Sequence, residues 1–200
     1  MIDDFRRRFG RPRSSFEVAG QFPNQAAVLI PITDHPLHPD IVLTKRAEHL
    51  STHSGEVSFP GGKWETHDNS LIDTALRESH EEINLIPEVV EIIGQQPHHT
   101  SLWGLKVTPY VGIIPHDSEF IPDKNELDAV FRVPLSFLIA DQRTRTEVYN
   151  RNNREWWSPV YHFDNYKIWG LTARILVDFL NMAWDANISR DHDSAPELRR

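Results

Sequence analysis

A glycine loop followed by an acidic segment with helical periodicity constrains this chain most. The segment covers residues 61–85 and reads GGKWETHDNSLIDTALRESHEEINL. From Asn69 or Ser70 onward, apolar and small side chains recur with the period of an α-helix. That stripe consists of Ile72, Ala75, Leu76, Ser79 and Ile83. The opposite face carries Arg77, Glu78, Glu81 and Glu82. The sequence therefore predicts a helix with one buried face and one charged face.

Three carboxylates on the charged face lie within reach of one another. Glu78 stands three and four positions before Glu81 and Glu82, so the side chains are neighbours on the helix surface. Crowded carboxylates repel each other, and an oxygen-seeking divalent cation such as Mg²⁺ or Mn²⁺ would relieve that repulsion. Arg77 is placed to pair with Glu81 one turn later. An acidic helix face is commonly only a solvated surface.

The loop before the helix favours a site over a solvated surface. Residues 59–62, Phe-Pro-Gly-Gly, follow directly from a strand-like run. Glycines at Gly61 and Gly62 allow the backbone to approach a phosphate or to form a tight turn. Loop, turn, Arg-Glu and Glu-Glu then occur together within one short window.

This combination resembles the Nudix box, a signature of Gly, Glu, Arg-Glu, Glu-Glu and a Gly that ends the helix. The positions that match it are Gly62, Arg77, Glu78, Glu81 and Glu82. Upstream, LTKR at residues 43–46 and GEVSFPGG at residues 55–62 are similar to an additional signature of the coenzyme A pyrophosphatase branch. The later IWGLTAR at residues 168–174 also resembles that branch. The resemblance covers roughly residues 25–185.

The chain departs from the family pattern at several places. The loop between Gly62 and Arg77 is one residue longer than in the general box, and Ser51 stands about where the branch signature has an Arg. The helix-ending Gly is replaced by Asn84, which is the next-best residue for a left-handed C-cap. The early Glu of the box has no unique counterpart, since three residues compete for its position: Glu65, Asp68 and Asn69.

The resemblance implies both a fold and an activity. The fold is an α/β (α+β) alpha-beta-alpha sandwich with a mixed β-sheet. The activity is hydrolysis, dependent on Mg²⁺ or Mn²⁺, of the diphosphate bond of coenzyme A or its thioesters. The products would be 3′,5′-ADP and 4′-phosphopantetheine, or its acylated form. No cysteine is present and no G-x-S-x-G motif occurs, so a cysteine or serine nucleophile finds no support.

The acidic helix supplies the predicted catalytic and metal-binding residues. Glu78 and Glu82, one turn apart, are the first choices as metal ligands. Glu81 is a ligand or a general base, and the sequence leaves both roles open. Arg77 is expected to orient Glu81. In related enzymes an acid outside the box often assists with the metal or acts as base, and here Glu126 is either such an acid or a surface carboxylate.

The substrate-binding candidates precede the helix. Gly61 and Gly62 shape the loop that turns the helix toward the site. Lys45 and Arg46 end a predicted strand, where one of them would hold a phosphate of the substrate, such as a 3′-phosphate, or where both simply form a solvated strand end.

Charge and composition restrict the possible partners. The formal net charge is −8, which disfavours general nucleic-acid binding because phosphate backbones attract basic patches. No apolar run is long enough to span a bilayer, and residues 1–15 lack the apolar core of a secretory signal. These features favour a cytoplasmic protein without nucleic-acid or membrane partners. The resemblance implies a small nucleotide substrate such as coenzyme A, and we expect a monomer or homodimer.

The chain is predicted to form one principal domain. Residues 1–24 are an N-terminal arm, residues 25–185 the Nudix-like domain and residues 186–200 a flexible tail. Residues 26–32, 41–46 and 105–114 read as strands, the last of them central. Residues 171–184 read as a helix that covers one sheet face.

Two alternatives to the coenzyme A reading stay open. The first is a Nudix hydrolase for another nucleoside diphosphate derivative, such as NADH or a nucleotide sugar. The second is a Nudix-like module that binds a nucleotide without catalysis. The intact Glu78, Glu81 and Glu82 count against the second, because a pure binder does not require that cluster.

Overall fold

The computed structural model of this chain describes residues 2–9, 19–151 and 154–191. The chain divides into two compact units, Met1–Leu135 and Ser136–Arg200. Helix α1 (Ile2–Phe9) belongs to the first unit, and the side chain of Phe5 in it is buried. Residues 10–18 of the predicted N-terminal arm and residues 192–200 of the predicted tail lie outside the described residues.

The first unit contains, within the described residues, a mixed sheet of eight strands. They are β1 (Gln25–Thr33), β2 (Asp40–Arg46), β3 (Val57–Ser58), β4 (Gly61–Lys63), β5 (Glu91–Gln95), β6 (His99–Thr100), β7 (Lys106–Ile114) and β8 (Leu127–Pro134). The main order is β3-β2-β1-β7-β5; β4 joins β1, β6 joins β7 and β8 joins β2. Strands β1 and β7 are parallel, whereas β1 and β2 are antiparallel. The predicted α+β class with a mixed sheet is confirmed.

Strands β1 and β7 form the centre of this sheet because both are nearly continuous apolar runs. Parallel strands covered on both faces have this kind of sequence. The pairing is in register along the full length, with Gln25 opposite Lys106 and Thr33 opposite Ile114. Leu29 and Ile30 are fully buried. The prediction of a central strand at residues 105–114 is confirmed.

Helix α2 (Leu71–Ile83) packs its apolar stripe against β1 and β4. The side chain of Ser70 caps its first turn by accepting a hydrogen bond from the backbone N–H of Asp73 at 3.2 Å. Asn84 ends the helix in the left-handed conformation, with φ of 56°. Both ends and the buried stripe agree with the sequence prediction.

The connection between β7 and β8, residues 115–126, is fastened to the end of α2. The backbone N–H of Ile121 donates to the carbonyl of Ile83 at 3.1 Å, and that of Asp123 donates to the carbonyl of Glu82 at 2.9 Å. The last carbonyls of a helix have no partner within the helix. These two bonds therefore complete the helix end and fix the connection beside it.

The second unit contains a three-stranded antiparallel sheet and a long helix. After helix α3 (Leu135–Ile139), strands β9 (Arg145–Arg151), β10 (Arg154–Phe163) and β11 (Tyr166–Ile168) pair in the order β11-β10-β9. Helix α4 (Gly170–Trp184) packs on β10. The helix predicted for residues 171–184 is confirmed. None of the helices in the described ranges combines the length and the apolar composition that a membrane span requires.

A buried ion pair joins several segments of the second unit. The Nε of Arg143 donates to both carboxylate oxygens of Asp141 at 2.9 Å, and the hydroxyl of Tyr161 donates to Asp141 at 2.8 Å. Arg143 also donates to the carbonyl of Ser189 at 2.8 Å. Buried charges are tolerated when they are paired and hydrogen-bonded in this way.

Replacing Arg143 with Met should destabilise the protein by about 3 kcal/mol or more, because Asp141 would stay buried without its charged partner. Denaturant unfolding of the wild type and the variant measures the difference. Arg145→Met is the matched control, since Arg145 pairs with the partly exposed Glu147 and should cost less than about 1 kcal/mol. Equal losses in the two variants would contradict the assignment.

Candidate active site

Two glycines of strand β4 allow two close approaches, Gly61 to strand β1 and Gly62 to helix α2. Gly61 has φ of +149°, and a Cβ there would lie 2.4 Å from the carbonyl oxygen of Ala27. A Cβ on Gly62 would lie 2.3 Å from the carboxyl carbon of Glu78. Only glycine leaves this space open. Gly62 therefore lets the carboxylate of Glu78 lie against the backbone of β4, while Gly61 lets β4 lie close to β1.

Glu82 is the buried acid of the site. Glu82 is only 5% exposed, and its carboxylate accepts a hydrogen bond from the backbone N–H of Gly61 at 3.0 Å. Burial raises the pKa of Glu82 to about 8, with further increases from the charges of Glu78 and Glu126. The Gly61 N–H and the charge of Arg46 oppose this rise. Its environment favours the protonated acid unless a further positive charge is supplied.

Glu78 lies one turn before Glu82 and is partly buried. Burial raises the pKa of Glu78, and the charges of Glu81 and Glu126 act in the same direction. The guanidinium of Arg77, whose Nη2 lies 3.0 Å from a carboxylate oxygen of Glu78, opposes the rise. Glu78, Glu82 and Glu126 therefore belong to one electrostatically coupled group.

Arg77 is the cation that organises the acidic face. Its Nε donates to Asp68 at 2.9 Å, its Nη1 donates to Glu81 at 2.9 Å, and its Nη2 donates to the carbonyl of Lys63 at 3.2 Å. Hydrogen bonding with Asp68 raises the pKa of Arg77 more than burial lowers it. The predicted pairing with Glu81 is confirmed, and Arg77 also ties the helix to β4.

Asp68 is the partner that sequence reasoning did not single out. Burial alone would raise the pKa of Asp68, but hydrogen bonds from Arg77, the Glu65 backbone and Thr74 hold it below the usual value. Among the three residues that competed for the early acidic position, Asp68 is the one that contacts Arg77. The available signal was an acid just before the helix cap, within reach of an arginine two turns later.

Glu81 faces solvent more than the other acids of the helix. Its side chain is 58% exposed and contacts Arg77. Glu126 is also exposed, and its carbonyl accepts the N–H of Ala47. Within the described ranges, no three His, Asp or Glu side chains are already grouped as ligands of a metal ion. The structure thus brings Glu78 and Glu82 into one group and leaves Glu81 at its outer edge.

Lys45 and Arg46 differ sharply in their surroundings. The Nζ of Lys45 lies 2.8 Å from Glu48 and 3.6 Å from Asp128, so this charge is already matched. The Nε of Arg46 is buried and has no hydrogen-bond partner among the described residues. Arg46 also acts on the pKa of Glu82, which places its charge near the acidic group.

Comparison with known proteins identifies the family to which this geometry belongs. The family model for the NUDIX domain matches residues 23–161. The uncharacterized Nudix hydrolase NudL of Enterobacter sp. (strain 638) is 44% identical over 180 residues, which cover 88% of this chain and 91% of that protein. The NudL protein of Salmonella typhimurium is 43% identical over the same shares of the two chains.

A solved structure supports the fold. The MutT/nudix family protein from Enterococcus faecalis matches with a TM-score of 0.53 and 13% identity, covering 97% of this chain and 72% of that one. At this identity the match concerns the architecture alone.

The buried acid predicts an unusual pH dependence of stability. The pKa of Glu82 is about 8 in the folded state against an ordinary value of 4.5, so the folded protein holds a proton that the unfolded chain has lost. The free energy of unfolding should therefore fall as the pH rises from 4.5 to 8, by about 5 kcal/mol in total from this group. Denaturant unfolding at pH 5.5 and 8.5 with EDTA present measures the fall.

Glu82→Gln should remove most of this decrease in the free energy of unfolding. The part that remains should come from Glu78, whose pKa is also raised. Glu88→Gln, at an exposed glutamate of the 3₁₀ turn Pro87–Val89, is the control and should keep the wild-type slope. An unchanged slope in Glu82→Gln would show that this carboxyl group is ionised in the folded protein at neutral pH.

Proposed function

This chain belongs to the Nudix family of hydrolases, and on that premise we propose that it hydrolyses the diphosphate bond of coenzyme A or its thioesters. The products are 3′,5′-ADP and 4′-phosphopantetheine, or its acylated form. The observation that carries the hydrolase assignment is the pair Glu78 and Glu82, held against the glycine loop with raised pKa values. The resemblance of residues 43–46, 55–62 and 168–174 to the coenzyme A branch supports the substrate.

The acidic group fits a divalent cation, and Nudix hydrolases generally use Mg²⁺ or Mn²⁺. The atoms that this group offers as metal ligands are carboxylate oxygens, which these hard cations prefer. The buried Glu82 has one backbone N–H as partner, and neighbouring negative charges raise its pKa further. A cation relieves that excess of negative charge. Glu78 and Glu82 would hold it, with Glu81 or Glu126 completing the set by side-chain rotation.

A bound cation supplies charge neutralisation for the attacked phosphoryl group and lowers the pKa of water. The residues of the chain do the rest. Arg77 keeps Glu81 at the edge of the group, where this carboxylate is a ligand or the base that removes a proton from the attacking water. Asp68 in turn fixes the guanidinium of Arg77. The oxygen of that water forms a bond to one phosphorus of the diphosphate as the bond from this phosphorus to the bridging oxygen breaks. The bridging oxygen leaves with the other phosphorus, so the two products are phosphomonoesters.

Arg46 is the residue we assign to a phosphate of the substrate. Its Nε is buried without a hydrogen bond in the described part of the chain, and its charge acts on Glu82, so an unsatisfied cationic group lies near the acidic group. A planar guanidinium also matches phosphate geometry better than an ammonium does. Lys45 is engaged with Glu48 and Asp128 and is not needed for this role.

Product analysis after incubation with coenzyme A and Mg²⁺ tests the proposal. The wild type should release 3′,5′-ADP and 4′-phosphopantetheine, and EDTA should abolish release. Glu82→Gln should lower turnover at least about 100-fold, equivalent to about 2.7 kcal/mol of lost transition-state stabilisation. Glu88→Gln should stay within about twofold of the wild type.

The possible failures of this experiment have separate meanings. Cleavage of NADH or a nucleotide sugar with coenzyme A untouched would reject the substrate and keep the hydrolase. Nucleotide binding without any turnover would favour a binding module. Unchanged metal-dependent turnover in Glu82→Gln would reject that residue as a ligand.

The roles of the two neighbouring cations predict different kinetics. Arg46→Met should raise the KM for coenzyme A about tenfold or more, because a contact with substrate phosphate is lost. Lys45→Met should change the KM less than about threefold, because it breaks only exposed ion pairs. Steady-state kinetics with both variants measures the difference, and a larger effect from Lys45→Met would reverse the assignment.

A further inference from the structure

A groove outside the acidic group lies beside the end of helix α2. Its volume is about 570 Å³, within the range of small-molecule sites. The lining residues come from the β7–β8 connection and from β8; they are Ser118, Glu119, Phe120, Ile121, Pro122, Lys124, Ala129, Val130 and Arg132. None of these residues is among the site residues predicted from the Nudix box.

The wall of this groove is held in place from both sides. Arg132 donates to the carbonyls of His116 and Ser118, each at 2.6 Å, and clamps the start of the connection to β8. Farther along, the N–H groups of Ile121 and Asp123 are bonded to the carbonyls of Ile83 and Glu82. The groove wall is therefore anchored to β8 and directly to Glu82 and Ile83, the residue pair that ends helix α2.

Part of the lining is apolar and suits a slender apolar chain. Ile121 is 65% exposed, which is high for a branched apolar side chain, and Val130 and Pro122 add further apolar surface. Phe120 packs against the core while the guanidinium of Arg132 lies 5.4 Å from its ring centre. That arrangement leaves less of the ring available for stacking a nucleobase.

The charged groups of the groove do not form a phosphate site. The Nη1 and Nη2 of Arg132 donate to backbone carbonyls. The exposed Nζ of Lys124 contacts the carbonyl of Asp128, so the stem of this side chain contributes apolar surface while its head stays in water. Glu119 adds a carboxylate to the same lining, which disfavours a phosphorylated end of the substrate.

We infer that this groove holds the aliphatic acyl arm of a thioester substrate, while the diphosphate lies at the acidic group. The inference rests on the proposed function, because it names which end of that substrate extends along β8. It makes the enzyme selective for acylated coenzyme A, with Ile121 as a specificity-determining contact. Each methylene that enters the groove should improve binding by up to roughly fourfold.

A ligand without diphosphate separates this inference from the hydrolase assignment. Calorimetry should show that octanoyl-pantetheine binds the wild type at least tenfold more tightly than acetyl-pantetheine does. Ile121→Asp should reduce that preference at least tenfold, because a carboxylate would stand in the path of the chain. Leu37→Asp, which alters a similarly exposed apolar residue outside the groove, should keep the preference within twofold.

Kinetics provides the second measurement. Ile121→Asp should lower kcat/KM for octanoyl-coenzyme A at least tenfold more than for coenzyme A itself. Equal losses for both substrates, or equal binding of the two pantetheine thioesters, would overturn the inference. Competition by 3′,5′-ADP that is lost in Ile121→Asp would overturn it in favour of the nucleotide end.

The two proposals fail in distinguishable ways. Chain-dependent pantetheine binding without hydrolysis of any coenzyme A species would reject the proposed function and uphold the groove. Hydrolysis of coenzyme A without chain-dependent pantetheine binding would uphold the proposed function and reject the groove as the acyl site.

Discussion

The hydrogen bond from the Gly61 backbone to the buried carboxylate of Glu82 is the contact around which the first unit is arranged. It joins strand β4 to the last turn of α2, and β4 in turn pairs with the central strand β1. Burying a carboxyl group with one N–H partner is unfavourable for its ionised form. The apolar stripe of the same helix, packed on the sheet, offsets that cost. Perturbed acids of this kind are concentrated at functional sites.

The acids around helix α2 are divided between two environments. Asp68 is surrounded by donors and has a lowered pKa, whereas burial raises the pKa of Glu82. Arg77 contributes to this division because it donates to Asp68 directly, whereas the carboxylate of Glu82 accepts a hydrogen bond from the Gly61 backbone. Pairs of carboxyl groups with diverging pKa values are a common basis for separate chemical roles.

Local signals in the sequence were sufficient for the helix and for the central strands. The caps Ser70 and Asn84 and the apolar stripe of α2 depend on neighbours within a few positions, so their prediction was correct. The burial of Glu82 was not predicted, because periodicity placed it on the charged face. The burial of Glu82 results from the packing of β4 against the helix, which is a tertiary contact.

The separate roles of Lys45 and Arg46 also depend on tertiary structure. A regular strand would send consecutive side chains to opposite faces, but the pairing with β8 shifts register between these two residues. Such irregularities re-aim side chains and are common beside active sites. The groove at Ile121 arises from the path of a connection without secondary structure. Sequence patterns describe such a path poorly, because it is set by single contacts such as those of Arg132.

The parallel pairing of β1 with β7 has a consequence for biosynthesis. The two strands are far apart in sequence, and the whole of helix α2 and the glycine loop before it lie between them. During translation, the apolar β1 therefore leaves the ribosome long before its main neighbour exists. Non-local pairings of this type slow folding and expose strand edges to aggregation. We expect the nascent chain to depend on chaperone protection until β7 has been synthesised.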